Sequence, residues 1–127
     1  MATVTLGRDN FEEIVNSSEI VFVDFWAAWC GPCRMFAPVG EAASEQHPDV
    51  VFAKVDTEAE QELAASFRIM SIPMLMAFRE QMLLYAQPGA LPPAAFDELI
   101  GKIKDLDMDE VRRQVADQEQ KTVSARA

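Results

Sequence analysis

The chain has 127 residues, half of them hydrophobic, which suits one domain able to bury a core without a metal or disulfide staple. Eleven basic against 21 acidic residues leave a formal net charge of -10. That charge repels phosphate backbones and anionic lipid, so neither nucleic acid nor a membrane surface is an expected partner. The opening "MATVTLGRDNFEEIVNSS" has no basic start followed by an apolar stretch, and no segment approaches bilayer length, so a cytoplasmic location is expected. Residues 105–127 carry six acidic and four basic residues, a net of -2, which leaves -8 for residues 1–104. The acidity therefore belongs to the body of the protein, where solubility accounts for it.

In chain order, "TVTL" (3–6) reads as a short edge strand and "DNFEEIVN" as a first helix with Asp9 as its N-cap. "IVFVDFWA" (20–27) is apolar on both alternating faces, as a central strand covered on both sides should be. A helix from about Cys33 to Gln46 follows, with Pro38 inside it as an expected kink. "VVFAKVD" (50–56) reads as a second buried strand and "EAEQELAASF" (58–67) as a helix. "MLMAF" (74–78) and "MLLYA" (82–86) lie close enough to form an antiparallel hairpin. In "PPAAFDELIGKIK" (92–104) the prolines suit a first helical turn, and Phe96, Leu99, Ile100 and Ile103 make one apolar stripe. Past residue 104 only Met108, Val111 and Val115 stand out among charges. The division expected is a domain over 1–104 and an extension over 105–127, a weak helix that frays over "EQKTVSARA".

The only two cysteines, Cys30 and Cys33, lie in "WAAWCGPCR" (26–34). As a structural staple so short a loop is worth only roughly 2 kcal/mol. As a metal site the pair supplies two of the four ligands that structural zinc takes, and His47 alone cannot complete the set. The redox reading fits the spacing. With Cys30 at a helix N-terminus and Cys33 one turn on, both sulfurs lie on one side and can close or open a disulfide. The positive end of the helix favours the thiolate of Cys30, the exposed member and attacking group. Pro32 suits the first turn because its angle is fixed and it leaves no N–H unpaired. Cys33, deeper in the helix, then resolves the mixed disulfide.

"FWAAWCGPCR" closely resembles the active-site segment of thioredoxins, and the likeness continues through Pro38, "KVD" (54–56), "SIP" (71–73) and "GA" (89–90), over roughly residues 3–104. The resemblance implies the thioredoxin fold, an α/β architecture with a mixed sheet of about five strands and about four flanking helices, to which the C-terminal helical extension read above is added. It implies a general protein-disulfide reductase with no cofactor beyond the Cys30–Cys33 disulfide. It also implies recharging by a flavoenzyme thioredoxin reductase that uses NADPH, with disulfide-bearing proteins as clients. A monomer is expected. Relatives with this chemistry span about 150 mV, so the motif by itself leaves the direction of electron flow open; the intervening Gly31 and Pro32 resemble the reductants.

Asp24 lies mid-strand on the face of Ile20, Phe22 and Trp26. Burial there raises its pKa, which suits exchange of protons with Cys33; thioredoxins imply the same role, through a water. Lys54 either offsets the carboxylate's burial or snorkels to solvent. For Ile72–Pro73 the default is a trans bond; the resemblance implies a cis bond facing the cysteines, with the backbone before it offered to an extended client segment. Trp29, Ile72, Gly89 and Ala90 would complete a shallow apolar rim. Met74 and Met76 read as core filler. Three departures stand out: Met74 where thioredoxins commonly have threonine, "REQ" (79–81) in place of an Asn-Gly turn, and the extension. The turn must then be longer or strained. The competing reading is a docking module whose partner binding ignores the thiols.

Overall fold

The apolar runs pair into one five-stranded mixed sheet in a computed structural model, which describes residues 3–126 and their side chains through Gln120. The elements are β1 (Thr3–Thr5), α1 (Phe11–Ser17), β2 (Ile20–Trp26), α2 (Gly31–Gln46), β3 (Val51–Asp56), α3 (Gln61–Ser66), β4 (Met74–Arg79), β5 (Met82–Pro88), α4 (Pro93–Asp105) and α5 (Met108–Arg126). Strand order is β1-β3-β2-β4-β5. β1 and β2 both run parallel to β3, whereas β4 is antiparallel to β2 and β5.

Central β2 is buried along its first six residues. Its alternation divides the core in two. Ile20 and Phe22 pack with Phe36 of α2 and with Phe96, Ile100 and Ile103 of α4. Val21, Val23 and Phe25 pack on the other face with Val15 and Phe11 of α1 and Leu63 of α3. The eight phenylalanines divide evenly: Phe22, Phe36, Phe52 and Phe96 meet on the first face, and Phe11, Phe25, Phe67 and Phe78 on the second. Each fully buried ring contributes about 2–3 kcal/mol, so the sheet is held from both sides.

Several expected boundaries move. Asn10, not Asp9, is the N-cap residue of α1, and its Oδ1 accepts from the Gly7 N–H at 2.7 Å while its Nδ2 donates to the Thr5 carbonyl. The amide thus ties the preceding loop to β1. α2 begins at Gly31, two residues earlier than expected, because the Cys30 sulfur caps it. Pro38 lies within that helix. α3 is shorter than 58–67 because Asp56 Oδ1 accepts from the N–H groups of Glu58 and Ala59, holding them in a turn. α5 extends to Arg126, through the stretch expected to fray; Ala127 lies outside the described residues. Met108 is buried, so the start of α5 is docked on the body.

The hairpin turn is not longer. Arg79 faces Met82, so Glu80 and Gln81 alone close it, at φ 52 and 70. Two non-glycine residues in the left-handed region cost about 1–2 kcal/mol each. Opposing contacts hold them: the Glu80 N–H donates to the Glu19 carbonyl at 2.8 Å, Gln81 Nε2 donates to the Asn16 carbonyl, and Glu80 pairs with Arg112 of α5.

Candidate active site

β2 ends at Trp26, and a short turn, closed by the Cys30 N–H to Ala27 carbonyl bond, starts α2. Arg34 donates to the Ala28 carbonyl at 2.8 Å and fixes that turn from within the helix. Cys30 and Cys33 form a disulfide with their Cα atoms 5.2 Å apart. The Cys33 N–H points at Cys30 Sγ at 3.2 Å, so the sulfur takes the place that an N-cap oxygen usually holds. Gly31 and Pro32 supply the first turn, where proline's missing donor costs nothing.

One expectation changes here. Cys30 is not an exposed residue: it is 5 % accessible against 2 % for Cys33, and Trp26, Ala27 and Ile72 pack around both. Exchange at so enclosed a pair favours a client segment that fits the surrounding rim. The Ile72 carbonyl lies 3.7 Å from Cys30 Sγ, and the Ile72–Pro73 bond is cis. Gly89 has φ 109, a conformation that favours glycine, and its N–H donates to the Pro73 carbonyl at 2.8 Å. Ala90 is exposed beside it. Trp29 is 67 % exposed, and its indole Nε1 donates to Glu58 Oε1 at 2.6 Å. Met70, two residues before Ile72, is more exposed still. Met74 instead packs with the core face lined by Val23 and Phe25, as core filler.

Asp24 is buried, pairs in register with Lys54 on β3, and has one oxygen with no hydrogen-bond partner among the described residues. Burial pushes its carboxyl up to about 6, and the Lys54 ammonium pulls it partly back. The two readings of Lys54 turn out to be compatible, since it is half-buried with Nζ 4.9 Å from the centroid of the Trp26 ring while its charge still acts on Asp24. Sequence reasoning missed Glu58. It is one carboxylate among many in an acidic chain, and nothing in "DTEAE" sets it apart.

A family model described as thioredoxin matches residues 2–105. The chain belongs to the thioredoxin family. A Streptomyces coelicolor protein provisionally named thioredoxin 2 is 57 % identical over 118 residues, covering 93 % of this chain and 88 % of its own. A bifunctional thioredoxin reductase/thioredoxin of Mycobacterium leprae is 46 % identical over 70 residues, 54 % of this chain and 15 % of the larger protein. Among solved structures, a point-mutant thioredoxin from Halobacterium salinarum superposes with a TM-score of 0.76 at 30 % identity, covering 82 % of this chain and 92 % of its own. As a thioredoxin the protein is a thiol-disulfide oxidoreductase, a protein-disulfide reductase that works through the reversible Cys30–Cys33 pair. Among the described residues no cluster of three or more His, Cys, Asp or Glu is placed to hold a metal, and no helix is long and apolar enough to cross a membrane.

Proposed function

We propose that this thioredoxin reduces client disulfides in the cytoplasm by a two-step exchange in which each site residue has a distinct part. The Cys30 thiolate attacks one sulfur of a client disulfide, forming a mixed disulfide and releasing the other client sulfur as a thiolate. Cys33 then gives up its proton and attacks Cys30, closing the Cys30–Cys33 bond and releasing the second client thiolate. Asp24, its ionisation moved toward neutrality by burial, takes the Cys33 proton through a water, and Lys54 limits how far that ionisation rises. Trp29, Gly31 and Pro32 shape the attacking end. Ile72, Pro73, Gly89 and Ala90 receive an extended client segment, with backbone near Ile72 available for hydrogen bonds. Glu58 holds the Trp29 indole in place.

The observation that carries this reading is the Cys33 N–H directed at the Cys30 sulfur at the head of α2. A donor there stabilises the thiolate before attack and the leaving thiolate when a client is expelled. Recharging by a separate NADPH-dependent thioredoxin reductase, and with it a place in electron transport and redox homeostasis, is supported by the fused arrangement of the Mycobacterium leprae relative. The division into a catalytic body over 1–104 and an appended 105–127 is supported by the end of the family match at residue 105. Deleting residues 113–127, which leaves Met108 and Arg112 in place, should then leave turnover unchanged.

The test is trapping. In Cys33→Ser the mixed disulfide on Cys30 has no resolving thiol, so clients should accumulate covalently attached and be released by dithiothreitol. Capture that persists after both cysteines are replaced would assign the protein to docking instead.

A further inference from the structure

Arg34 stands in the first turn of α2 with its side chain exposed. It bonds twice to the segment that enters the helix: its backbone N–H donates to the Cys30 carbonyl at 3.2 Å, and its Nη1 donates to the Ala28 carbonyl at 2.8 Å. The two bonds bracket Trp29. Arg8, Arg79, Arg112 and Arg113 each pair with a carboxylate, whereas among the described residues none pairs with Arg34. α1, α3 and α5 open with acidic residues, as the positive end of a helix favours, but α2 carries none before Glu41. A cation at that end is opposed by the helix dipole, and the Ala28 carbonyl is the contact that offsets this.

The two redox states differ in how much they need the Ala28 bond. In the disulfide form Cys30 is joined covalently to Cys33, so the turn from Ala27 to Cys30 is tied to α2 whatever Arg34 does. Opening the disulfide removes that tie. What remains is the Cys33 N–H directed at Cys30 Sγ and the two Arg34 bonds, of which only the side-chain one reaches ahead of Cys30. We propose that Arg34 is a positioning residue that clamps this turn to α2 selectively in the dithiol form, so that Cys30 keeps its place at the head of the helix and beside the Ile72 carbonyl while it attacks. A bond that counts for more in the dithiol than in the disulfide shifts the redox equilibrium by the excess. In exchange with glutathione, the protein dithiol and glutathione disulfide give the protein disulfide and two glutathione thiols, two electrons and two protons leaving the cysteine pair. Arg34 thus holds the pair toward the dithiol. For its effect on rate the clamp rests on the reading of Cys30 as the attacking thiol; its effect on this equilibrium does not.

Arg34→Met keeps an unbranched side chain and removes the donor and the charge. Wild type and Arg34→Met are compared by urea unfolding of both redox forms, by equilibrium with glutathione at neutral pH, and by single-turnover reduction of a protein disulfide. The unfolding equilibrium of the dithiol form should shift about two- to fivefold further than that of the disulfide form. The glutathione equilibrium should move toward the protein disulfide by the same factor, because the two differences close one thermodynamic cycle. Attack by Cys30 should slow. The shift should persist in about 1 M sodium chloride, which screens charges beyond roughly 3 Å but leaves a direct hydrogen bond. Equal loss of stability in both redox forms, with the glutathione equilibrium unchanged, would make Arg34 an ordinary surface support and overturn the clamp, while client capture by Cys33→Ser would still stand. A shift that vanishes in salt would leave only a charge acting on the Cys30 thiolate, and would overturn the clamp as well. If the shift appears but Cys33→Ser captures no client, the attacking role of Cys30 fails and the clamp on the dithiol form stands.

Discussion

The two ends of the β2–β4 pair meet the same demand, a sharp change of chain direction, by opposite means. At the disulfide end the special conformations fall to residues made for them: Pro32 in the first turn of α2, Pro73 before β4 and Gly89 at φ 109. At the hairpin end Glu80 and Gln81 adopt left-handed geometry without glycine, and contacts from elsewhere hold them there. Arg79 is central to that hold. Its Nη1 donates to the carbonyls of Ile103, Lys104 and Leu106 at 2.9, 3.1 and 3.2 Å, capping α4, while Nη2 reaches Glu19 at 3.4 Å. The difference separates chemistry from scaffold. Residue type sets the special backbone conformations at the reactive end, and distant contacts set them at the other.

The sharpest way to break that contrast is Cys30→Ser, which should abolish disulfide reduction while leaving the unfolding midpoint of the reduced protein nearly unchanged. Turnover surviving the substitution would move the chemistry away from this end altogether.

Asp24 is the next largest effect and tests whether the reactive end sacrifices stability. Its carboxyl ionises near 3.8 when unfolded and near 6 when folded, so between those values the unfolded chain releases its proton first. Stability is full below about pH 4, falls as pH rises to about 6, and stays lowered above it. At neutral pH the cost is about 3 kcal/mol. Asp24→Asn should recover most of it at neutral pH and little at pH 4, measured by urea unfolding of the oxidised protein, while slowing release of clients. Equal effects at both pH values would contradict the burial argument.

At the hairpin end, Arg79→Ala should cost about 2 kcal/mol, because three helix-end carbonyls lose a charged donor. Disulfide exchange by the folded protein should not change. Replacing Glu80-Gln81 by Asn-Gly should stabilise by about 1 kcal/mol, the relief of left-handed strain exceeding the loss of the exposed Arg112 pair. A destabilised variant would show that the opposing contacts outweigh the strain.

The same contrast explains what could be read from the sequence. The disulfide, the helix it caps, the buried Asp24 and the two-faced β2 were legible because each depends on neighbours in the chain: a two-residue spacing, a proline, an unbroken apolar run. Asp9 and Asn10 are both good caps by residue type, and only the hydrogen bonds that Asn10 makes with the Gly7 and Thr5 backbone groups distinguish them. The shielding of Cys30 depends on Ile72, forty-two residues away, and the tether on Trp29 depends on Glu58. Only the resemblance carried by "SIP" ties Ile72 to the cysteines, and Glu58 carries no local signal at all. "REQ" announced an unusual turn but not its length, which α5 and the Glu19 carbonyl help to set.

Catalysis here depends most on Cys30 being activated at the head of α2 while Cys33 is not. Alkylation of the reduced protein by iodoacetamide at neutral pH, followed by peptide mapping, tests this directly. Cys30 should react faster than free cysteine and carry nearly all the label, with Cys33 spared. Labelling of Cys30 at or below the rate of free cysteine, or equal labelling of both thiols, would contradict it.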